Sequence, residues 1–328
     1  MNVSTEELLA SVLAETERAR ASVDRDLLAA ALFRMATLYQ NRGEPMKAIA
    51  PLQELLALQE DTQDRQGMIA TLIMLGDIYR REGGWHRALA LYDRARMSQE
   101  AEGDQAGMAA TMGSMGVTYE GMEMWEEALN AYMQSLTIKE ALGDTRGVAL
   151  IWSNIGNVEV KRRRFLEAFE SYRKALALQE AAEDRLGQSV TLANFASAHQ
   201  RRGEWTEAAN RYRESLSLMG EEDRPRRAAT LNGLGFVRKK AGDLEEAMAA
   251  YREALRLMEA AGDLLRSSVI LHNMALIHEE RREWREALRL MEQVIAIDKR
   301  IGHPDLKQDM EVFRRIRSRL DAERDAQQ

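Results

Sequence analysis

The chain has 328 residues, of which 45% are hydrophobic and 30% charged, and this composition excludes a disordered polypeptide. Its formal net charge of −7 argues against general nucleic-acid binding, and its lack of cysteine excludes disulfides, thiolate metal sites and a cysteine nucleophile. Only four prolines and 6% aromatic residues favour long helices over many short strands.

The first predicted element is an N-terminal capping helix within residues 1–26. It opens on Ser4-Thr5-Glu6-Glu7, a capping-box signature. Leu8, Leu9, Val12 and Leu13 are expected to lie on one side of this helix. The segment lacks the basic and apolar regions of a signal peptide, and nowhere do 18 apolar residues follow one another. We therefore expect no leader, no contact with membranes and a cytoplasmic location.

Residues 27–303 repeat one pattern seven times, with a period of 40 residues that falls to 39 once. The predicted repeats span about 27–66, 67–106, 107–146, 147–186, 187–225, 226–265 and 266–303. A small residue marks each repeat: Ala36, Gly76, Gly116, Gly156, Ala196, Gly235 and Ala275. A large residue follows sixteen places later in every repeat: Leu52, Tyr92, Tyr132, Tyr172, Tyr212, Tyr251 and Met291. A fixed period of this length indicates a repeat protein.

Each repeat is predicted to form two helices, because apolar residues at helical spacing stop at Gly83-Gly84 and resume at Trp85. Gly76 and Ala88 are expected where the two helices touch, since short side chains let the backbones approach. Aspartates that precede first helices suit N-caps: Asp64, Asp104, Asp144, Asp184 and Asp263. Aromatic residues are expected to open the second helices: Trp85, Trp125, Phe165, Trp205 and Trp284.

The 39-residue spacing falls across residues 220–227, which contain Pro225. A tolerated one-residue deletion explains this joint, and a hinge that lets repeats six and seven swing is the alternative.

Residues 304–328 are predicted to form a C-terminal capping helix that begins at Pro304 and ends in a frayed tail. Its buried side is expected at Leu306, Met310, Phe313 and Leu320. Polar outer faces at both ends keep such an array from associating.

The pattern resembles tetratricopeptide (TPR) repeats in their longer, 40-residue variety, as in kinesin light chains and in bacterial regulators that bind peptides. The family tyrosine near the end of the first helix is kept at Tyr39, Tyr79 and Tyr119 and lost later in the chain. The resemblance implies an all-α fold, a right-handed α-solenoid of seven helical hairpins with capping helices at both ends, about 16 helices in all. It also implies that the first helices line a concave groove.

A stripe of residues on the first helices is the predicted peptide-binding groove. Asparagine recurs on it at Asn154, Asn157, Asn194, Asn232 and Asn273, although helix propensity gives no reason to repeat this residue. A side-chain amide both donates and accepts hydrogen bonds, so a ladder of amides can hold an extended peptide backbone. Apolar candidates beside the ladder are Leu150, Val190 and Phe236. The alternative is an amide contact between the helices of neighbouring repeats.

Basic residues recur in the last turn of the first helices, where cations favour the negative end of the helix dipole. That structural role explains the whole series, and a stripe that attracts an acidic peptide is the alternative. The rim residues of such a stripe are Lys161, Arg201, Lys239 and Lys240.

No HExxH, calcium loop, P-loop or nucleophile-elbow motif occurs, so we expect no catalytic residue, no metal and no cofactor. The leading hypothesis is a non-enzymatic interaction scaffold that binds an extended or short helical segment, somewhat acidic and with apolar anchors. The alternative is a sensor whose superhelix changes shape on binding a peptide or small ligand. The segments that flank the repeats are expected to be too short for an output domain, and the chain is expected to be a monomer or weak homodimer.

Overall fold

The structure is a computed structural model that describes residues 5–22 and 24–327. Sixteen α-helices and one short 3₁₀ helix, Pro45–Ala48, account for these residues, and no strand occurs among them. The helices are α1 (Thr5–Ala21), α2 (Arg25–Asn41), α3 (Ile49–Thr62), α4 (Arg65–Arg81), α5 (Trp85–Glu102), α6 (Gln105–Gly121), α7 (Trp125–Ala141), α8 (Thr145–Lys161), α9 (Phe165–Ala181), α10 (Arg185–Arg202), α11 (Trp205–Leu218), α12 (Arg224–Lys240), α13 (Leu244–Ala261), α14 (Leu264–Glu280), α15 (Trp284–Ile301) and α16 (Leu306–Gln327). The all-α class and the number of helices predicted from the repeat are confirmed.

The predicted helix starts are confirmed by their caps. The carboxylate of Asp104 accepts a hydrogen bond from the backbone N–H of Gly107 at 2.8 Å, and Asp64, Asp144 and Asp184 cap their helices in the same way. Each cap satisfies a backbone donor that has no partner within the helix. The predicted aromatic residues also stand at the first positions of α5, α7, α9, α11 and α15.

The two helices of a hairpin touch at the small residue. A Cβ added to Gly116 would lie 2.5 Å from the ring of Tyr132, and one added to Gly235 would lie 2.7 Å from the ring of Tyr251. Both tyrosines are fully buried. The short residue therefore makes room for the largest side chain of the core, as the repeat pattern predicts.

The chain divides into two compact units, residues 1–162 and 163–328, which hold α1–α8 and α9–α16. In each unit consecutive helices pack against one another. The first helices of adjacent repeats also contact each other, α4 with α6 and α6 with α8 in the first unit, and α10 with α12 and α12 with α14 in the second. Each unit therefore has a surface that is built from first helices side by side.

The end helices bury only part of the apolar sides that the sequence pattern predicts. On α1, Val12 is buried, whereas Leu8 and Leu13 are exposed. The predicted capping residue Ser4 lies outside the described residues. A terminal helix has neighbours on one side only, so its buried stripe is narrower than its apolar stripe.

On α16 the prediction is wrong in the same way. Val312 and Ile316 are buried, while Leu306, Met310, Phe313 and Leu320 are only half-buried. The helix begins at Leu306 rather than at Pro304, which lies in the preceding turn.

At the irregular joint, α11 ends early at Leu218, and Pro225 occupies the first turn of α12, where a missing N–H is tolerated. Asp223 makes no side-chain cap to the helix and pairs with Arg226 instead. Among the described residues, no helix is both long and apolar enough to cross a bilayer.

Candidate functional site

Eight of the twelve predicted groove residues lie on the first helices of the second unit. On α10, Val190, Asn194 and Arg201 fall at i, i+4 and i+11 and so share one face. On α12 the corresponding face carries Asn232, Phe236, Lys239 and Lys240, and on α14 it carries Asn273. Because α12 contacts both α10 and α14, these faces form one continuous surface, which we call the groove face.

The other four candidates lie together on α8 of the first unit. Leu150 is 57% exposed, Asn154 and Asn157 are half-buried, and Lys161 is exposed at the end of the helix. Their spacing places all four on one side of the helix, so α8 carries the same sequence of apolar, amide and basic side chains as α10.

The asparagine amides of the groove face are used in two different ways. Asn273 Nδ2 donates to Asn232 Oδ1 at 3.2 Å, an amide contact between neighbouring repeats. For this pair the structure therefore shows the alternative that the sequence left open. Asn194 has no side-chain hydrogen bond to any described residue, so its amide is available to a ligand.

The position of Asn232 follows from the packing of its neighbour. Gly233 stands where the repeat has asparagine in α10 and α14, and a Cβ there would lie 2.7 Å from the ring of Tyr212. A side chain at that place would require the Tyr212 ring to move, and the amide of α12 lies one residue earlier in the helix. This shift brings Asn232 within hydrogen-bond distance of Asn273.

The basic residues at the ends of the first helices fall into two sets. One set forms ion pairs: Arg162 with Glu126 and Glu159, Arg202 with Glu204, Arg238 with Glu246, and Arg281 with Glu245. These contacts are structural. The rim residues Lys161, Arg201, Lys239 and Lys240 have no carboxylate within 4.0 Å among the described residues.

Lys239 stands at a repeat position whose side chain is elsewhere bound to a tyrosine hydroxyl. Glu120 accepts a hydrogen bond from Tyr132 Oη at 2.5 Å, and Gln200 accepts one from Tyr212 Oη at 3.1 Å. The hydroxyl of Tyr251, the tyrosine of the Lys239 repeat, is buried without a hydrogen-bond partner. Lys239 is therefore not engaged as its counterparts are.

The electrostatic surroundings of Lys239 favour an anion. Burial lowers the pKa of the Lys239 ammonium below its usual range, with Lys240 adding repulsion and the more distant Glu280 and Glu279 opposing the shift. A carboxylate placed beside this ammonium would offset its lost hydration.

Phe236 provides the apolar part of the groove face. Its ring lies 6.4 Å from the ring of Trp205 in an edge-on arrangement, and Lys240 Nζ lies 5.7 Å from its centroid. Both contacts hold the half-buried ring in place. Val269 on α14, also on this face, is 44% exposed.

The sequence interpretation missed a second feature, a pocket of about 130 Å³ between α14, α15 and α16. Ser268, His272, Asp298 and Asp309 lie in its wall, together with Asn273 of the groove face. Asp298 occupies the repeat position of Gln59, Gln99 and Gln179, so a carboxylate in place of an amide was the signal that could have revealed it. No group of three or more His, Asp or Glu side chains is arranged to hold a metal ion within residues 5–22 and 24–327.

Comparison with known proteins identifies the repeat. The family model described as tetratricopeptide repeat matches residues 26–96, 67–141, 147–221 and 226–300. Comparison with curated protein sequences gives no match.

Three solved structures show the same fold at low identity. A STAND protein with a tetratricopeptide repeat sensor from Pyrococcus horikoshii gives a TM-score of 0.69 at 17% identity, over 94% of this chain and 50% of that one. The Rap conjugation gene regulator of plasmid pLS20, in complex with the Phr* peptide, gives a TM-score of 0.57 at 14% identity, over 96% of this chain and 95% of that one. The apo quorum sensor NprR from B. thuringiensis gives a TM-score of 0.55 at 14% identity, over 95% of this chain and 99% of that one.

At identities this low, the structural similarity establishes the fold alone, and the function of one protein does not transfer to another. The α-solenoid class predicted from the sequence is confirmed by these similarities. Because the family model covers more than half of the sequence, the chain belongs to the tetratricopeptide repeat family.

Proposed function

We propose that this protein is a non-enzymatic, cytoplasmic peptide-binding protein, and that the groove face on α10, α12 and α14 is its binding site. The ligand is an extended or short helical segment of a partner protein, somewhat acidic and with apolar side chains. The face combines a free amide at Asn194, cations at Arg201, Lys239 and Lys240, and an ordered apolar ring at Phe236. The four residues on α8 are a further surface of the same composition.

One observation carries the proposal. At the ends of the first helices of the second unit, Arg202, Arg238 and Arg281 form ion pairs, whereas Arg201, Lys239 and Lys240 of the groove face do not. If all of these cations served only the helix dipole, there would be no reason for this division by face. Two of the structural relatives, a Rap regulator solved with a peptide and a quorum sensor, are consistent with such a role.

The test begins with a display library of random twelve-residue peptides, selected on the intact protein. We expect enriched sequences to contain Asp or Glu together with aromatic or aliphatic residues. Binding of a selected peptide is then measured for Asn194→Ala and Lys239→Gln by isothermal titration calorimetry. Each variant should bind about five- to tenfold more weakly, since each loses one hydrogen bond or one charge contact worth about 1 kcal/mol.

Two matched controls keep the result specific. Asn210→Ala removes an exposed amide from the second helix α11, and Lys299→Gln removes an exposed ammonium from α15. Both should leave the affinity within twofold of the wild type. Equal affinity for all five proteins would refute the groove face as the binding site.

A sensor function is the second candidate, and the Asn232–Asn273 hydrogen bond favours it. This bond joins two first helices, so a ligand that competes for these amides would change how α12 and α14 pack. Small-angle scattering with and without the selected peptide separates the two functions. A scaffold keeps its scattering profile, whereas a sensor shows a changed radius of gyration.

A further inference from the structure

The pocket between α14, α15 and α16 has a wall of acidic and polar side chains. Its volume of about 130 Å³ would hold roughly four water molecules at ~30 Å³ each. Among the described residues that line it, none is a lysine or an arginine. A ligand of complementary charge must therefore bring its own positive group.

Asp298 is the central residue of this wall. Only 1% of its surface is exposed, Ser268 Oγ donates to its Oδ1 at 2.6 Å, and its Oδ2 has no hydrogen-bond partner among the described residues. A buried carboxylate is unfavourable unless a donor or a cation satisfies it. The corresponding repeat positions hold the neutral Gln59, Gln99 and Gln179, so the core packing of the repeat does not require the charge.

Asp309 adds a second carboxylate to the same wall. It is 6% exposed, and His272 Nδ1 lies 2.5 Å from its Oδ1. Burial raises the pKa of Asp309 and the neighbouring Asp298 carboxyl raises it further, whereas His272 opposes the shift. The His272 contact is to Asp309 rather than to Asp298.

The backbone reinforces this preference for a cation. Asp298 lies in the last turn of α15, where the free carbonyl groups give the helix its negative end. No described residues are arranged to hold a metal ion, and the pocket is large enough for an organic group.

We propose that this pocket binds a monovalent organic cation, a primary ammonium or a guanidinium group, with Asp298 as its principal counter-ion. Such groups occur on lysine and arginine side chains and at the free N-terminus of a peptide. Val269 and Asn273 belong both to the pocket wall and to the groove face, so the cation is the positively charged end of the groove ligand. That last assignment rests on the proposed function, whereas the cation site itself does not.

The experiment uses small probes on the intact protein, so that it is independent of peptide binding. Saturation-transfer NMR at pH 8 measures the binding of n-butylammonium, n-propylguanidinium and alaninamide, which represent lysine, arginine and a peptide N-terminus. Their neutral counterparts are n-butanol, n-propylurea and N-acetylalaninamide. At least one cation should bind at least tenfold more tightly than its neutral counterpart. The cation that binds most tightly shows whether the site takes a lysine, an arginine or a peptide N-terminus.

Variants locate the binding. Asp298→Asn keeps the shape of the side chain and the contact with Ser268, and it should weaken cation binding at least tenfold. Asp321→Asn, at an exposed position on the same helix as Asp309, should leave binding within twofold. Thermal unfolding checks that both variants are folded, and the comparison of cations with neutral probes on the wild type needs no variant.

The absence of cation binding, equal binding of charged and neutral probes, or unchanged binding to a folded Asp298→Asn would each overturn the cation site. Cation binding that depends on Asp298 in a protein that selects no peptides would leave the pocket in place and remove the proposed groove function.

Discussion

At the scale of single residues, the glycines of the first helices decide how close the two helices of a hairpin come. Glycine in a helix costs about 1 kcal/mol relative to alanine, so it persists only where a side chain would not fit. Gly116 and Gly113 both lie in α6, but they have different neighbours. A Cβ on Gly116 would lie 2.5 Å from Tyr132, whereas one on Gly113 would meet no atom closer than 3.6 Å, at Ile151.

The two glycines therefore predict opposite effects of the same substitution. Gly116→Ala should destabilise the protein by about 1–3 kcal/mol, because overpacking outweighs the gain in helix propensity. Gly113→Ala should be neutral or stabilise by up to about 1 kcal/mol. Urea unfolding followed by circular dichroism measures both, and an equal effect of the two substitutions would contradict the packing argument.

The sequence could predict residues whose role depends on the repeat alone. Asp104, Gly116 and Tyr132 recur at fixed places, and each repeated place has one local environment, so the pattern was sufficient for them. It could not assign Asn232, Asn273 or Arg162, because their roles depend on distances to side chains in other helices. The ring of Tyr212 lies beside Gly233, where the neighbouring repeats have asparagine, and Asn232 stands one residue earlier; no spacing rule describes this contact.

At the scale of helices, consecutive hairpins are joined by a buried polar contact. Thr111 Oγ1 on α6 donates to Gln99 Oε1 on α5 at 2.9 Å, and each of the two residues is 2% exposed. At the same place between α9 and α10, Gln179 Nε2 donates to Thr191 Oγ1 at 3.0 Å. A hydrogen bond in this place fixes the register of one hairpin on the next, since a shifted helix would leave a buried amide unsatisfied.

A double-mutant cycle tests this role. Thr111→Val should cost about 1–3 kcal/mol of unfolding free energy, because it leaves the Gln99 oxygen without a donor. Gln99→Leu combined with Thr111→Val should cost less than the sum of the single changes, with a coupling of about 0.5–3 kcal/mol. Thr137→Val, an exposed threonine on α7, is the control and should stay within about 0.5 kcal/mol. Additive effects would show that the contact does not hold the helices in register.

The end helices show where reasoning from a stripe of apolar residues fails. Inside the array a helix packs between neighbours and buries most of its apolar stripe, so the sequence predicts its core. On α16, which has neighbours on one side only, Val312 and Ile316 are buried in place of the predicted Met310 and Phe313. The same packing places Asp309 against His272 and forms the acidic pocket.

At the scale of the whole molecule, the repeated tyrosines couple stability to alkaline pH. Burial is the main cause that raises the pKa of Tyr92, Tyr132, Tyr212 and Tyr251, and for Tyr212 the value reaches about 12. In the unfolded chain these phenols ionise near pH 10. The folded state therefore binds their protons more tightly than the unfolded state does.

The sign of the pH dependence follows from this difference. The contribution of each phenol is complete below pH 10 and is lost as the pH rises towards its pKa in the folded protein. Between pH 10 and 11, each of the four should cost about 1 kcal/mol of unfolding free energy. Urea midpoints at pH 8, 10 and 11 measure the loss, and Tyr251→Phe should reduce it by about one quarter. A midpoint that does not change between pH 10 and 11 would contradict the burial of these hydroxyls.

The central claim is that the groove face on α10, α12 and α14 binds a peptide. Hydrogen–deuterium exchange of the intact protein, with and without a peptide selected on it, tests this claim most directly. We expect slower exchange in the peptic fragments that contain these three first helices and no change in those that contain the second helices α11 and α13. Protection confined to second helices would contradict the claim. So would an Asn194→Ala variant that binds the peptide with unchanged affinity and shows the same protection pattern as the wild type.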